Sequence, residues 1–213
     1  MTPPISDIAF TPSVKAVQER MGSRKHYARM EQRGGWQALI TDDLADFIAE
    51  RDSFYLATAG RNGQPYIQHR GGPRGFLKVL DERTLALADF SGNRQYITVG
   101  NLAENNKAFI FLMDYGTQTR IKIWGTAEVV EKDPALLKSL ADPSYSGRPE
   151  RVVWFRVEAW DMNCRQHIKR RFAEEDIRAT VASLQNRIAD LEEENRVLKR
   201  GTAAPVQPCG SVT

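Results

Sequence analysis

Cysteine is scarce in this 213-residue chain: there are two, Cys164 and Cys209, the second in a tail containing proline and glycine. That excludes a disulfide framework and fits a reducing compartment. Long apolar runs are missing too. No window approaches the roughly 18 apolar residues that a membrane helix needs, so no membrane span is expected. The opening MTPPISDIAF has neither the basic start nor the apolar stretch of a secretory signal, and a cytoplasmic protein is expected. Nor does charge of one sign accumulate. Lys and Arg total 30 against 27 for Asp and Glu, giving a net charge of +3 and a pI near 8.9. The cations are dispersed instead of forming a basic stripe, which argues against nucleic acid as a partner.

What is present suffices for a packed domain with an appendage: 41% of residues are hydrophobic and 27% charged. Residues 12 to 50 read as helical. PSVKAVQERMG starts with Pro12 in a first turn and stops at Gly22, and TDDLADFIAERD follows Thr41 with Leu44, Phe47 and Ile48 at helical spacing. From residue 53 the period becomes that of strands. SFYLATAG, RNGQ and PYIQHR read as strand, Asn-Gly turn and strand. GFLKVLD, TLALADF, KAFIFLM, TRIKIWGTAEVVE and RVVWFRVEAW complete seven strand candidates, with LDERT as a tight turn. No helix is expected among those before residue 131, and the pattern suggests an antiparallel barrel. In RIKIWGTAEVV, Ile121 and Ile123 share one face, while Arg120, Lys122 and Trp124 share the other. DPALLKSLADPSYSGRP predicts one short helix and a loop.

The C-terminal part has another period. Val181, Ile188 and Asn195 alternate with Ile177, Leu184, Leu191 and Leu198 at spacings of four and three, which places them at heptad positions a and d. β-Branched a residues, leucine at most d positions and one a-position Asn favour a parallel two-stranded coil. The same stripe could instead lie along the chain's own barrel. The expected organisation is a helical segment over 1–50, a barrel over 51–171, a coiled-coil helix over 172–200 and a disordered tail over 201–213.

Between two apolar strands lies DFSGNRQYITVGNLAENN, with Gly92, Gly100, several asparagines and the lone cation Arg94. Upstream stand His69, Arg70, Gly71, Gly72, Arg74 and Lys78; downstream stand Arg120 and Lys122. An antiparallel barrel can bring such residues to one mouth. A phosphomonoester carries about −1.5 to −2 charges and three acceptor oxygens, which Arg, Lys and turn N–H groups recognise. Gly92 would let the chain turn ahead of Asn93 and Arg94, with Gln95 and Thr98 as neutral donors. The competing reading is a helix start capped by Ser91 or Asn93, with Asn101 as a later cap. The two are compatible, because a helix N-terminus is itself an anion site. HRGGP likewise reads either as part of the site or as a bulge or sharp bend before Pro73.

HRGGPRGFLKVLD, LADFSGNRQYITVGNLAENNKAFIFLMDY and RIKIWGTAEVVE, continued by EAWDMNCRQHIKRR, resemble the pyridoxamine 5′-phosphate oxidase-like family of FMN-binding split barrels. The similarity runs from about residue 40 to 171, nearest the branch with H-R-G-G-P and N-C-x-Q-H-I signatures. The resemblance implies a six-stranded antiparallel split β-barrel; with the flanking helices and the C-terminal coiled-coil helix, which lie outside the minimal family pattern, the expected fold is mainly β (α+β). The resemblance further implies a homodimer with FMN in clefts between subunits and a small-molecule substrate beside it.

Carried over residue by residue, Lys78 falls on a flavin-contacting strand. Asn93, Arg94 and Gln95 fall on the phosphate-gripping turn, and Arg120 and Lys122 on the strand that reaches the flavin. His69, Arg70 and Gly71 would line the isoalloxazine side, and Trp160 would approach from the other subunit, with Gln166 shortly after it. In the oxidases an Arg and a His spaced two apart follow that tryptophan. Here Gln166, His167 and Ile168 do not reproduce that spacing cleanly, so the expectation is an FMN-dependent oxidoreductase, with that oxidase activity itself left open. A redox-sensing protein signalling to a coiled-coil partner, or a barrel holding haem or a deazaflavin, are the competing expectations.

Cys164 and His167 have the spacing of half a metal site, but a structural zinc needs about four ligands, and no metal is expected. HIKRRF before the heptads lacks the continuous basic helix of a DNA-binding zipper.

Overall fold

Alternation of apolar and polar residues builds the core of this computed structural model, which describes residues 3–163 and 165–202. The chain divides into two units, Met1–Lys169 and Arg170–Thr213. The first contains seven strands: β1 (Ser53–Ala59), β2 (Pro65–Gly71), β3 (Lys78–Asp81), β4 (Thr84–Phe90), β5 (Lys107–Asp114), β6 (Thr119–Val130) and β7 (Pro149–Asn163). Helices α1 (Pro12–Arg20), α2 (Arg24–Gln32) and α3 (Asp42–Ala49) precede them, α4 (Ile97–Glu104) joins β4 to β5, and α5 (Pro134–Leu140) joins β6 to β7. The second unit contains α6 (Glu174–Thr202). Cys164 and Cys209, and the tail from residue 203 onward, lie outside the described residues.

The strands form one antiparallel sheet in the order β2-β1-β5-β6-β7-β4-β3. The sheet is thus seven-stranded, where the resemblance implied six, and among the described residues no backbone pairing joins β2 to β3. Each of the seven strand candidates became a strand, with GFLKVLD trimmed at its start. Phe76 and Leu77 are buried there but precede β3. The bend that trims it is HRGGP. The Gly72 N–H donates to the Asp52 carbonyl at 3.0 Å, and a Cβ on Gly72 would sit 2.7 Å from the Phe76 ring. The expectation of no helix before residue 131 fails at α4, whose Thr98 and Leu102 are buried.

The interior is filled by alternate residues: Phe54 and Leu56 of β1, Leu85 and Leu87 of β4, Ile110 and Leu112 of β5, Ile121 and Ile123 of β6, and Phe155 and Val157 of β7. Helix α3 adds Leu44 and Ile48 to this cluster, and its start is capped by Thr41 Oγ1, which accepts from the Leu44 N–H at 3.3 Å. Each such side chain contributes roughly 1.5–3 kcal/mol on burial, so the inward face dominates the fold's stability. A second cluster lies on the opposite face of β4 and β7, where Ala86, Ala88 and Val152 pack with Leu140 of α5.

The N-terminal segment covers the outer face of β6. Trp36 stacks on Trp124 with centroids 4.4 Å apart, and Phe10 packs on Trp36 at 5.1 Å. The outer face of β1, β2 and β5 keeps Tyr55 and Ile67 exposed, Ile67 by 61%. Cross-strand register aligns Ile67, Ala57, Phe109 and Trp124 in one row and His69, Tyr55, Phe111 and Lys122 in the next.

Candidate functional site

The side chains of β2 alternate. Tyr66, Gln68 and Arg70 are half-buried, whereas Ile67, His69 and Gly71 are exposed. A period of two therefore separates His69 and Gly71 from Arg70. On the inner side, Tyr66, Gln68 and Arg70 line a cavity of about 200 Å³ together with Asp89 and Phe90, the turn Gly92 to Tyr96, the first turn of α4 and Glu150.

Two charged groups at this cavity, Arg70 and Asp89, are committed to each other, and Arg151 of β7 joins their network. Arg70 Nη1 forms a short ion pair with Asp89 Oδ1. Arg151 stands 3.8 Å from Asp89 Oδ2 through Nε and 2.7 Å from Glu150 Oε2 through Nη2. Its guanidinium also lies over the Tyr96 ring at 5.0 Å. Arg70, Asp89 and Arg151 are all close to nine-tenths buried. Even so, the Nε–H groups of both arginines are buried without a hydrogen-bond partner. Leaving such a donor unpaired costs on the order of 1–3 kcal/mol, so an acceptor would be favoured there.

The turn above them is strained. Arg94 and Tyr96 both hold left-handed backbone, with φ of 58° and 56°, a conformation uncommon outside glycine. Asn93 Oδ1 accepts from the Gln95 N–H at 3.2 Å, and Arg94 Nε donates to the Tyr96 hydroxyl at 3.2 Å. Among the described residues Arg94 forms no salt bridge. Tyr96 is the N-cap of α4 and supplies no side-chain cap. Ser91 and Asn93 do not cap the helix: Asn93 closes the turn instead. Asn101 is no cap either, because it donates from within α4 to Thr58 Oγ1 at 3.0 Å. The first-turn residues Ile97, Thr98 and Val99 line the cavity, where helix N–H groups without intrahelical acceptors favour an anion.

The remaining sequence-predicted residues do not converge here. Lys78 lies on β3 near Asp142, whose carboxyl is held below its ordinary value chiefly by hydrogen bonds from Ser144 and less by Lys78. Arg74 pairs with Glu50 at the surface at 2.8 Å. Arg120 and Lys122 are on the outer face of β6, as their alternation with Ile121 and Ile123 predicted. Lys122 binds Asp161 at 3.1 Å and sits 5.3 Å and 5.1 Å from the Trp36 and Trp124 rings. His69 meets Tyr55 edge-on at 5.5 Å. Trp160, expected to reach a cofactor in another subunit, is instead buried in the core, and its indole N–H donates to the Leu39 carbonyl at 2.7 Å. Gln166 is exposed beyond β7. The expected single mouth of cations is therefore replaced by two places: the inner cavity with Arg70, Asn93, Arg94 and Gln95, and the outer face with His69, Arg120 and Lys122.

Sequence reasoning missed Tyr66, Gln68, Asp89, Glu150, Tyr96 and Arg151. Asp89 did leave a signal, as the lone carboxylate in the apolar strand TLALADF. Tyr66 and Gln68 follow from Arg70 by period two. Arg151 had no local signal, since only the pairing of β4 with β7 sets it opposite Asp89.

Comparison with known proteins gives the lineage. The family profile described as pyridoxamine 5′-phosphate oxidase matches residues 40–164. No curated protein matches. Among solved structures, HupZ of Group A Streptococcus is 23% identical, covering 62% of this chain and 99% of its own, with a TM-score of 0.49. An FMN-binding protein from Syntrophomonas wolfei is 16% identical, covering 68% and 97%, with a TM-score of 0.47. HutZ, the heme storage protein from Vibrio cholerae, is 17% identical, covering 56% and 89%, with a TM-score of 0.36. With more than half of its length matched by the profile, this chain belongs to the pyridoxamine 5′-phosphate oxidase family.

Proposed function

We propose that this protein is an FMN-binding oxidoreductase acting on a small organic substrate, with the flavin held between two copies of the chain. The observation that carries the reading is the buried Arg70 Nε–H, which has no hydrogen-bond partner, in the cavity that Arg70 lines together with the Arg94 turn. Asp89 is paired with Arg70, which leaves Arg94, without a salt bridge among the described residues, as the cation of the turn that lines the cavity. With the first turn of α4, this donor set fits a phosphate monoester. A cavity of about 200 Å³ is assigned to the phosphate end only.

The outer face of β1, β2 and β5 is the counterpart in this reading. Its exposed Tyr55 and Ile67 suit a planar ring and a second copy, because large apolar side chains exposed on one face mark interaction surfaces. FMN, when bound, would supply the hydride and electron chemistry. The chain would orient it, set charge beside it and exclude water. No acid–base residue is required of the protein for that role, and His69 is assigned to substrate or ring contact.

The absorbance spectrum of the purified protein tests the cofactor. A two-banded flavin spectrum supports FMN, whereas a Soret band would overturn it in favour of haem. Stopped-flow mixing with NADH or NADPH then tests catalysis: reduction of the bound flavin followed by turnover supports an oxidoreductase. A flavin that no donor reduces would point to a binding or sensing protein acting through its coiled coil.

A further inference from the structure

Helix α6 carries its apolar stripe exposed. Ile177 and Val181 are each 43% exposed, Leu184 59% and Ile188 56%. We infer that this stripe is the seam of a parallel, in-register, two-stranded coil formed with a second copy of this chain. The inference stands apart from the flavin reading, since it uses only residues of the second unit.

The flanking charges select the occupant. In a parallel coil each g residue faces the e residue five positions later on the other strand. The g positions are Ala173, Thr180, Arg187 and Glu194, and the e positions are Arg178, Gln185, Glu192 and Lys199. Self-pairing therefore sets Arg187 against Glu192 of the second copy and Glu194 against its Lys199. Both pairs attract and no like charges meet. An antiparallel overlap of the same seam sets Arg178 against Lys199, a repulsion, and Asn195 against Leu184. A polar group facing an apolar one in a closed seam loses its hydrogen bond.

Asn195 supports the same arrangement. In the single helix its Nδ2 donates to its own Leu191 carbonyl at 2.9 Å. In-register pairing brings two Asn195 carboxamides together, the device that fixes register and strand number in coiled coils. The seam from Ile177 to Leu198 is about 32 Å long at 1.5 Å per residue. It lies within a 29-residue helix, which in isolation would owe little of its order to propensity alone.

Spin labels placed singly at Asp190 and at Val197 of the full chain, with Cys164→Ser and Cys209→Ser, test this by dipolar distance measurement. Equal, short separations at the two sites are expected. Unequal separations would mean an antiparallel pair, and absence of a short separation would mean that the seam is covered by its own chain or by another protein; either overturns the inference. Arg187→Glu should abolish the short component by placing Glu against Glu192, and adding Glu192→Arg should restore it. Failure of the double variant to restore it would also overturn the assignment. Flavin absorbance of the same samples reports the barrel separately, so a failed coil and a failed flavin site are distinguishable.

Discussion

Arg70 of β2 and Asp89 of β4 form a buried ion pair between strands near opposite ends of the sheet order. The pair holds the two margins of the sheet together at the cavity, where no backbone ladder does. Asp89 also balances Arg151, so one carboxylate serves two guanidinium groups. Asp89→Asn should therefore destabilise the unliganded protein by about 3–5 kcal/mol, the usual cost of breaking a buried pair, read as a lower urea midpoint. The same change should increase the stabilisation conferred by added FMN or inorganic phosphate, because Arg70 then lacks its counter-ion. Equal ligand-induced shifts in both proteins would separate Asp89 from the anion site.

Arg94 is the cation of the turn, and among the described residues it forms no salt bridge. Removing one charge-assisted contact costs about 1.5–3 kcal/mol, so Arg94→Ala should raise the Kd for FMN by roughly 10- to 150-fold. Arg196→Ala on α6, which removes a surface pair with Glu193, should leave it unchanged. Titration of the stripped protein by fluorescence quenching measures both, and equal affinities would remove Arg94 from the phosphate assignment.

Asp114 of β5 gives a pH dependence. Burial opposes its charge, but hydrogen bonds from Thr117 and the Arg51 guanidinium prevail and hold its carboxyl below the ordinary value. A lowered folded pKa means stability that is present above the unfolded value and lost as pH falls through the folded one. Melting temperature should therefore drop below about pH 4, and Asp114→Asn should flatten that part of the profile while lowering stability at neutral pH.

Gly125 sits where β6 shifts register against β7. A Cβ there would stand 2.0 Å from the Arg156 carbonyl oxygen and 2.8 Å from the Phe155 ring. Gly125→Ala must move backbone rather than a flexible side chain, so it should cost at least the 1–3 kcal/mol typical of overpacking. Gly92→Ala, with nothing within 4 Å, is the matched control in thermal unfolding.

Period and turn chemistry made the strands legible. Asn62-Gly63 turned the first hairpin, and the Gly63 φ of 79° shows why glycine stands there. Ile121 and Ile123 were assigned to the correct face because alternation is a local property. The cation mouth was misjudged for the opposite reason: which residues meet depends on strand order, and β6 lies three places from β2 by way of β1 and β5. His69 and Arg70 were taken together because they are adjacent in sequence, although adjacent strand residues face opposite sides. Trp160 was placed at a cofactor by resemblance, while the chain's own residues 37–39 cover it. The glycine and asparagines around Arg94 marked a turn, but not its left-handed form at two non-glycine residues.

That left-handed turn bears on how binding would proceed. Arg94 and Tyr96 are held by the Asn93 and Tyr96 hydrogen bonds and by the start of α4. The loop has thus already surrendered its conformational freedom during folding, so little ordering remains when a phosphate arrives. Association would then resemble docking onto a rigid socket, with a rate set by encounter and an entropy change dominated by released water.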